Sequence, residues 1–294
     1  MAPDYLDRAA RAECAQLFAA LQRQHPLVDC ITNMVTVGDV ANGLLAIDAR
    51  PVMASAPEEI ADFVARADAL LLNLGATSSE HRRAMALGAA QANALDKPVV
   101  IDPVGIGTSS LRRETLHALL AERHIHVIRG NISEIKALAG SRTDAGGVDA
   151  SPADLAGADA FASAVSMAQK LARRYDTVIA ISGPRDIITD GDRTLVVHGG
   201  NITMTRVTGS GCTLTGVVAA FVAVAPEAPL LATATAIGLM CMAGDRALAA
   251  CGDRATGSFR VAMFDALSAL TPEDLAQDLR IEELGGNHDQ RRTV

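Results

Sequence analysis

Residues 98–130 read PVVIDPVGIGTSSLRRETLHALLAERHIHVIRG and contain a strand, a helix and a second strand in that order. The segments 98–104 and 126–130 are apolar runs of strand length, and residues 109–121 between them have helical spacing. Two neighbouring strands connected through a helix run parallel, because an antiparallel pair needs only a short turn. The stretch therefore predicts one β-α-β unit of a parallel sheet.

The same alternation extends in both directions along the chain. Further strands are predicted at 27–32, 51–55, 69–75, 177–183, 186–191 and 194–200, and further helices at 4–23, 37–48, 57–66, 79–95, 132–139, 152–174 and 211–225. This pattern predicts an α/β fold with helices on both sides of a mostly parallel central sheet. The turn signal Asp190-Gly191 between two short strands predicts a small β-flap on that sheet.

The chain has 294 residues, of which 49% are hydrophobic and 20% charged, as in an ordinary globular protein. We find no linker rich in Pro, Gly or Ser, so residues 1–294 are interpreted as a single domain. Residues 141–150 are expected to form a surface loop, and residues 279–294 are expected to form a loose polar tail.

Composition also excludes several functional classes. The net charge is −8 without a basic cluster, which argues against nucleic acid and anionic membranes as partners. The five cysteines are scattered and show no metal-binding or CxxC spacing, so neither a disulfide framework nor structural zinc is expected. The charged N-terminus has no apolar signal region, and the run VVAAFVAVA (217–225) is too short to span a bilayer. We therefore expect a cytoplasmic protein.

Polar residues follow several of the predicted strands. Ligands of doubly wound sheets bind outside the carboxyl ends of the strands. In this chain those ends carry Asn33, Asn73, Gly75, Asp102, Arg129, Gly130, Asn131, Ser182 and Gly183, with Glu134 one turn into the following helix. Acid, amide, guanidinium and glycine backbone together suit a polyphosphate and its Mg²⁺.

The segment VTGSGCTLTGV (207–217) is the most specific of these strand-end sequences. Gly209 and Gly211 let a ligand approach the backbone closely, and a helix that begins near residue 211 directs free N–H groups towards the loop. Gly209, Ser210 and Gly211 are therefore predicted to form an anion hole for a phosphoryl group. The alternative is a tight turn that binds no ligand.

Cys212 lies in the first turn of that helix. The helix dipole favours the thiolate, so the position predicts a thiol of lowered pKa. Such a thiolate can accept the proton of a substrate hydroxyl during phosphoryl transfer. The alternative is a small, buried apolar side chain without chemistry.

Four blocks of the sequence resemble the hydroxyethylthiazole kinase family of the ribokinase-like superfamily, in the order of that family and from about residue 12 to 270. They are ITNMVTVGDVANGLLAIDARPVMASAPEE, VVIDPVGIGTS, VIRGNISEIKALAG and VTGSGCTLTGVVAAF. The resemblance implies a ribokinase-like three-layer α/β/α fold. It implies a transferase that uses ATP and Mg²⁺ to phosphorylate the hydroxyl of 4-methyl-5-(2-hydroxyethyl)thiazole in thiamine biosynthesis. It also implies a homotrimer with active sites between subunits.

The resemblance implies roles for individual residues. Most ribokinase-like enzymes have a catalytic aspartate where this chain has Cys212, which is therefore the expected base. The expected thiazole contacts are Met53, Asn33 and Gly209; the expected ATP contacts are Arg129, Ser182 and Asn131; and the expected acids near Mg²⁺ are Asp102 and Glu134. Structural alternatives are a turn cap for Asp102, a capping-box acid for Glu134, an ion-pair partner for Arg129 and a core side chain for Met53.

Three departures from the family pattern bear on these roles. Ser182 stands where many relatives have threonine, which preserves the hydroxyl. Met34 replaces an aromatic residue. Asp48 and Arg50 lie in a stretch that usually contains glycine, and they would alter substrate preference if they faced the thiazole.

Three alternative functions fit parts of this pattern. The first is a kinase of the same fold for another small alcohol, such as hydroxymethylpyrimidine or a sugar. The second is a dehydratase that repairs nicotinamide-cofactor hydrates, which would require aspartate in place of Cys212. The third is a non-catalytic protein that binds the thiazole or a nucleotide.

Overall fold

The structure is a computed structural model that describes residues 3, 5–140 and 157–285. The predicted loop 141–150 and the start of the predicted helix 152–174 lie outside the described residues. The strands are β1 Leu27–Ile31, β2 Arg50–Val52, β3 Ala69–Asn73, β4 Val99–Asp102, β5 Val127–Asn131, β6 Val178–Ser182, β7 Asp186–Thr189, β8 Thr194–Val197 and β9 Ile281–Glu283.

The helices alternate with these strands over the first two thirds of the chain and then follow one another. They are α1 Arg8–Gln24, α2 Val37–Ala46, α3 Ile60–Arg66, α4 Ser79–Ala94, α5 Ser110–Glu122, α6 Ile132–Leu138, α7 Ala158–Tyr175, α8 Ser210–Val224, α9 Pro229–Cys251, α10 Thr256–Ala269 and α11 Pro272–Asp278. Several begin at the side-chain caps that the sequence contains, for example Ser78 before α4 and Ser109 before α5.

The strands form one sheet in the order β2-β1-β3-β4-β5-β6-β7-β8-β9. The strands β1 to β6 are parallel to one another, whereas β7 pairs antiparallel with β6 and with β8, and β8 pairs antiparallel with β9. Alternate side chains face opposite sides: Ala69 and Leu71 of β3 belong to one core, and Leu70 and Leu72 to the other. One core is covered by α1, α2 and α8–α10 and the other by α3–α7, so the three-layer α/β/α prediction is confirmed.

The structure bears on two details of the predicted fold. The predicted hairpin is present as β7 and β8, and it extends the main sheet because β7 pairs antiparallel with β6. All residues of both strands are buried, which requires cover on both faces of the hairpin. The tail predicted for 279–294 is ordered at its start, where β9 pairs with β8, and residues 286–294 lie outside the described part.

By length and composition alone, α9 could cross a membrane, with a mean hydropathy of 1.2 over its most apolar window. Inside the protein 61% of that window is buried. Its buried residues pack against β6, β7 and β8 and against the helices α1, α8 and α10. We therefore interpret α9 as a core helix.

A carboxyl side chain is buried in the middle of β1. Asp29 is fully buried, and its Oδ1 accepts a hydrogen bond of 3.2 Å from the Ala54 amide. Its Oδ2 has no hydrogen-bond partner among the described residues. Burial raises the pKa of Asp29 to about 7. The folded protein therefore retains this proton in a pH range where the unfolded chain has lost it.

We expect Asp29→Asn to stabilise the protein increasingly as the pH rises. The native pKa lies above the unfolded value, so wild-type stability is full below the unfolded pKa and falls as pH rises towards about 7. Asparagine retains an acceptor for Ala54 and removes the buried charge. The gain in unfolding free energy should reach about 2–4 kcal/mol above neutral pH. Denaturant unfolding at acidic and alkaline pH measures it, with the exposed Asp62→Asn as control. A pH-independent difference would contradict this expectation.

Candidate active site

The carboxyl ends of β1 and β3–β6 lie at one edge of the sheet, because these strands are parallel. Register places Asn73 opposite Asp102 and Asn131 opposite Ser182. The helix α8 packs against β1, β3 and β4, and its first residues lie at the same edge. This edge therefore collects side chains from five strands around the start of one helix.

The Cys212 thiol lies where these strand ends meet α8. Its Sγ accepts hydrogen bonds from Asn73 Nδ2 at 3.2 Å and from Asn33 Nδ2 at 3.5 Å. Asn33 Oδ1 in turn accepts from the amides of Val35 and Thr36, which fixes the orientation of its side chain. The structure thus brings together Asn33 and Cys212, two residues that the sequence separates widely.

Asn73 is a site residue to which the sequence analysis gave no role. It is fully buried, and its Nδ2 donates both to Cys212 Sγ and, at 3.1 Å, to Asp102 Oδ2. Its Oδ1 accepts from the Gly75 amide at 2.9 Å. A sequence signal was present, since Asn73 is the polar end of the otherwise apolar strand ALLLN. Asn73 joins the thiol to the carboxylate of the neighbouring strand.

The prediction of a lowered thiol pKa is wrong. Burial raises the pKa of Cys212, and the negative charge of Asp102 raises it further. Hydrogen bonds from Thr36, Asn73 and Asn33 lower it, but by less. The position at a helix start favours the thiolate, yet desolvation and a like charge outweigh it here.

We expect Asn73→Ala to move the titration of the Cys212 thiol to higher pH, because the variant lacks an amide that lowers the pKa of this thiol. The rate of iodoacetamide labelling against pH measures the shift. A Cys251→Ser background removes the other half-buried thiol, whereas Cys14, Cys30 and Cys241 are buried. The control is Asn93→Ala, whose amide contacts His124 far from the thiol. An unchanged or lower midpoint would contradict the role of Asn73.

Asp102 is buried at the end of β4, and burial raises its pKa. Its Oδ2 accepts from Asn73 and from Thr215 Oγ1 at 2.9 Å. Thr215, a second residue without an assigned role, also donates to the Gly211 carbonyl at 3.2 Å. The positive charge of Arg129 and a hydrogen bond with Cys212 lower the pKa of Asp102. Thr215 thus connects the carboxyl group of Asp102 to the glycine segment.

Glu134 forms the capping box that was its structural alternative. Its Oε2 accepts from the Asn131 amide at 2.8 Å, and Asn131 Oδ1 accepts from the Glu134 amide at 3.0 Å. Its Oε1 accepts from the Gly105 amide at 3.1 Å. Burial and then the charge of Asp102 raise the pKa of Glu134 to about 7. The Asn131 side chain is therefore engaged in capping α6.

Asp102 and Glu134 are the two carboxyl groups of this edge that could bind Mg²⁺. Two buried carboxylates that repel each other are stabilised by a cation, and oxygen ligands suit Mg²⁺. Within residues 5–140 and 157–285, however, no three His, Cys, Asp or Glu side chains form a metal-binding group. The donor set fits Mg²⁺ only if phosphate and water oxygens complete the coordination.

Arg129 connects two parts of this edge. It is buried, with 8% exposed, and its Nη2 donates to Ser182 Oγ at 2.6 Å while its Nη1 donates to the Gly211 carbonyl at 3.1 Å. Both hydrogen-bond partners are neutral, and the positive charge also acts on the buried carboxyl groups of Asp102, Glu134 and Asp186. The Arg129 guanidinium lies between the end of β6 and the glycine segment, and its positive charge favours the binding of an anion between them.

The glycine segment begins α8. Gly209 has a φ of 93°, and a Cβ there would lie 3.0 Å from Asp39 Oδ2, so both conformation and space require glycine. The Ser210 amide donates to the Val207 carbonyl at 3.3 Å and its hydroxyl to the Met204 carbonyl at 2.8 Å. Ser210 is thus engaged within its own loop, which corrects its predicted place in the anion hole.

Met53, Asp48 and Arg50, the other residues considered from the sequence, lie at two opposite edges of the sheet. Met53 follows β2 at the carboxyl edge and packs, half-buried, against the same core as Cys212. Arg50 begins β2 at the opposite edge, where its Nε donates to the His25 carbonyl at 2.7 Å. Asp48 is exposed there as well and accepts from Gln22 at 3.3 Å. These two charges do not face the thiol.

Comparisons with known proteins agree with this geometry. The model of the hydroxyethylthiazole kinase family matches residues 18–273. A hydroxyethylthiazole kinase of Methanoculleus marisnigri is 44% identical over 274 residues, which cover 92% of this chain and 93% of that protein. One from Thermoanaerobacter pseudethanolicus is 43% identical over 267 residues, covering 91% and 98%.

Solved structures match this chain as well. A hydroxyethylthiazole kinase from Pyrococcus horikoshii OT3 superposes with a TM-score of 0.82 at 33% identity, covering 92% of this chain and 99% of that one. A pyridoxal kinase from Staphylococcus aureus shares the fold alone, with a TM-score of 0.51 at 13% identity. The matches in sequence and structure extend over the glycine segment, the thiol and the strand ends that surround them. The chain belongs to the hydroxyethylthiazole kinase family.

Proposed function

We propose that this protein transfers the γ-phosphoryl group of ATP to the hydroxyl of 4-methyl-5-(2-hydroxyethyl)thiazole, as a kinase of thiamine biosynthesis. The observation that carries the proposal is the position of Cys212 at the start of α8. Asn33, Asn73 and Asp102 surround it on one side, and the Arg129–Ser182 contact lies beyond Gly211 on the other. The relatives whose sequences match most of this chain are named hydroxyethylthiazole kinases, and these names support the same substrate.

The two substrates occupy adjacent parts of the edge in this proposal. The thiazole alcohol binds at Asn33, Met53 and Gly209, with its hydroxyl near Cys212 Sγ. The phosphates of ATP extend along Arg129 and Ser182, next to the Asn131 turn. The amides at the start of α8 stabilise the charge that develops on the transferred group. Most of the rate enhancement then comes from positioning and electrostatics.

Asp102 and Glu134 are the residues that would hold Mg²⁺, together with phosphate and water oxygens. Bound there, the cation would supply positive charge that offsets the charges of the phosphate oxygens and of the two carboxylates, including the Asp102 charge that raises the pKa of the Cys212 thiol. Cys212, as the thiolate, accepts the hydroxyl proton as the substrate oxygen bonds to phosphorus and ADP leaves.

The quaternary structure and location are also proposals. Met34 and Val35, next to Asn33, are 83% and 78% exposed, and two adjacent apolar side chains beside the thiol site favour cover by a neighbouring subunit. We propose a homotrimer with active sites between subunits: the family resemblance implies three subunits, and this exposed apolar pair supports an interface beside the thiol. All five cysteines are free thiols, which supports a reducing, cytoplasmic location.

A coupled ADP-release assay tests the proposed function. Wild-type protein with ATP and Mg²⁺ is presented with the thiazole alcohol, with hydroxymethylpyrimidine and with sugar alcohols in parallel. We expect turnover with the thiazole alcohol well above that with the others. Faster turnover with another alcohol would favour a different kinase of this fold. Binding of thiazole and nucleotide without ADP release would favour the non-catalytic alternative.

A further inference from the structure

A second buried carboxyl group lies behind the contact between Arg129 and Ser182. Asp186 is the first residue of β7 and is buried, with 6% exposed. Its Oδ1 accepts a hydrogen bond of 3.0 Å from the Gly183 amide. Its Oδ2 accepts from the Cys241 thiol of α9 at 3.5 Å. The proposed chemistry uses neither Asp186 nor Cys241.

The hydrogen bond from the Gly183 amide closes the turn between β6 and β7, and the one from Cys241 connects that turn to α9. The turn begins directly after Ser182, whose hydroxyl accepts from Arg129 and donates to the Gly130 carbonyl at 3.4 Å. The positive charge of Arg129 also acts on Asp186 and lowers its pKa, although burial raises that pKa to about 6 overall. The backbone at Gly183 and the side chain of Arg129 are thus both coupled to one carboxylate.

We infer that Asp186 is a positioning residue for the nucleotide. By holding the Gly183 amide it fixes the turn that presents Ser182 to Arg129, and Cys241 anchors its other oxygen to α9. The inference rests on the proposed function in one respect, namely that the phosphates of ATP bind at Arg129 and Ser182. A carboxylate with only a local structural role would affect overall stability without discriminating between the two substrates.

Separate calorimetric titrations of each variant with AMP-PCP and with the thiazole alcohol test this inference. We expect Asp186→Ala to weaken AMP-PCP binding about 10-fold or more, because the Gly183 amide loses its acceptor. Binding of the thiazole alcohol should change less than about 2-fold. Asp186→Asn should restore AMP-PCP binding to within about 3-fold, since the amide oxygen can accept from Gly183 and the amide nitrogen can donate to Cys241.

The matched control is Asp190→Ala. Asp190 closes the next turn, between β7 and β8, through the amides of Asp192 and Arg193, and it lies at the opposite, exposed end of β7. Its removal should leave AMP-PCP binding unchanged. If circular dichroism shows Asp186→Ala to be unfolded, Asp186→Glu carries the same prediction, because its carboxylate lies one methylene away from the position that Gly183 requires.

The outcomes separate the two proposals. Wild-type affinity for AMP-PCP in Asp186→Ala, or in Asp186→Glu where that variant is used, would overturn the inference while leaving the kinase assignment intact. An equal loss of AMP-PCP and thiazole binding would also overturn it, because that result indicates a general structural role. Selective loss of AMP-PCP binding, in a protein whose wild type releases no ADP with any alcohol, would support the positioning role and reject the proposed reaction.

Discussion

Replacing Cys212 by alanine is expected to lower the rate of phosphoryl transfer by about 10²–10⁴-fold, the usual contribution of a general base. The variant retains Arg129, Ser182 and the amides at the start of α8, so ATP affinity should change little. The methyl group of alanine cannot accept the hydroxyl proton or the hydrogen bonds that Asn33 and Asn73 donate to sulfur. Single-turnover phosphorylation of the thiazole alcohol at saturating ATP measures the loss.

Two further variants show whether that loss reflects proton transfer. Cys212→Asp should remain active, because a carboxylate at this position can accept the proton and the amide donors of Asn33 and Asn73. Cys251→Ala is the matched control, since Cys251 is a half-buried thiol at the end of α9, away from the strand ends. It should transfer phosphate like wild type. Wild-type rates in Cys212→Ala would remove the base assignment.

The second large effect is expected at Arg129. Arg129→Ala should lower kcat/KM for ATP by about 10²–10³-fold, the range observed when an electrostatic stabiliser is removed from an active site. The variant loses the charge expected to face the phosphates. It also loses the contact that joins Ser182 to the Gly211 carbonyl. Steady-state kinetics with ATP varied at saturating thiazole alcohol measure the change.

Two further variants extend that experiment: Arg129→Lys is the conservative substitution, and Arg193→Ala is the matched control. Lysine retains the charge but cannot reach two acceptors with a planar fork, so its activity should lie between those of wild type and Arg129→Ala. Arg193 makes an exposed ion pair with Glu283 at 2.8 Å, and its removal should leave kcat/KM unchanged. If Arg129→Ala impairs thiazole binding instead of ATP use, the assignment of Arg129 to the nucleotide is wrong.

Much of the sheet could be predicted from the sequence. Strands such as β3 and β4 are continuous apolar runs up to their last residue, because a parallel strand is covered by helices on both faces. The partner of β7 could not be predicted in this way. Its residues give the same apolar pattern whether the hairpin stands apart or joins β6. The strand β9 was missed for a similar reason: it has three residues, and its pairing with β8 depends on a contact distant in sequence.

The strand-end rule also located several candidate site residues. It brought Asn33, Asp102, Arg129 and Ser182 to one edge, and the structure gives their contacts with one another and with α8. The roles of residues that act on other side chains were not found. Asn73 was placed at a strand end without a role, and Thr215 and Asp186 were not singled out, because the partners that define these roles lie on other strands or helices. The error in the thiol pKa has the same origin, since the helix start is visible in the sequence but the burial of the thiol and the neighbouring charge of Asp102 are not.

A crystal structure with the thiazole alcohol and AMP-PCP tests the role of Cys212 most directly. We predict that the substrate hydroxyl lies within hydrogen-bond distance of Cys212 Sγ and faces the terminal phosphate of the nucleotide, which is bound at Arg129 and Ser182. A hydroxyl remote from Sγ, with the thiol turned towards the protein core, would contradict the assignment of Cys212 as the base.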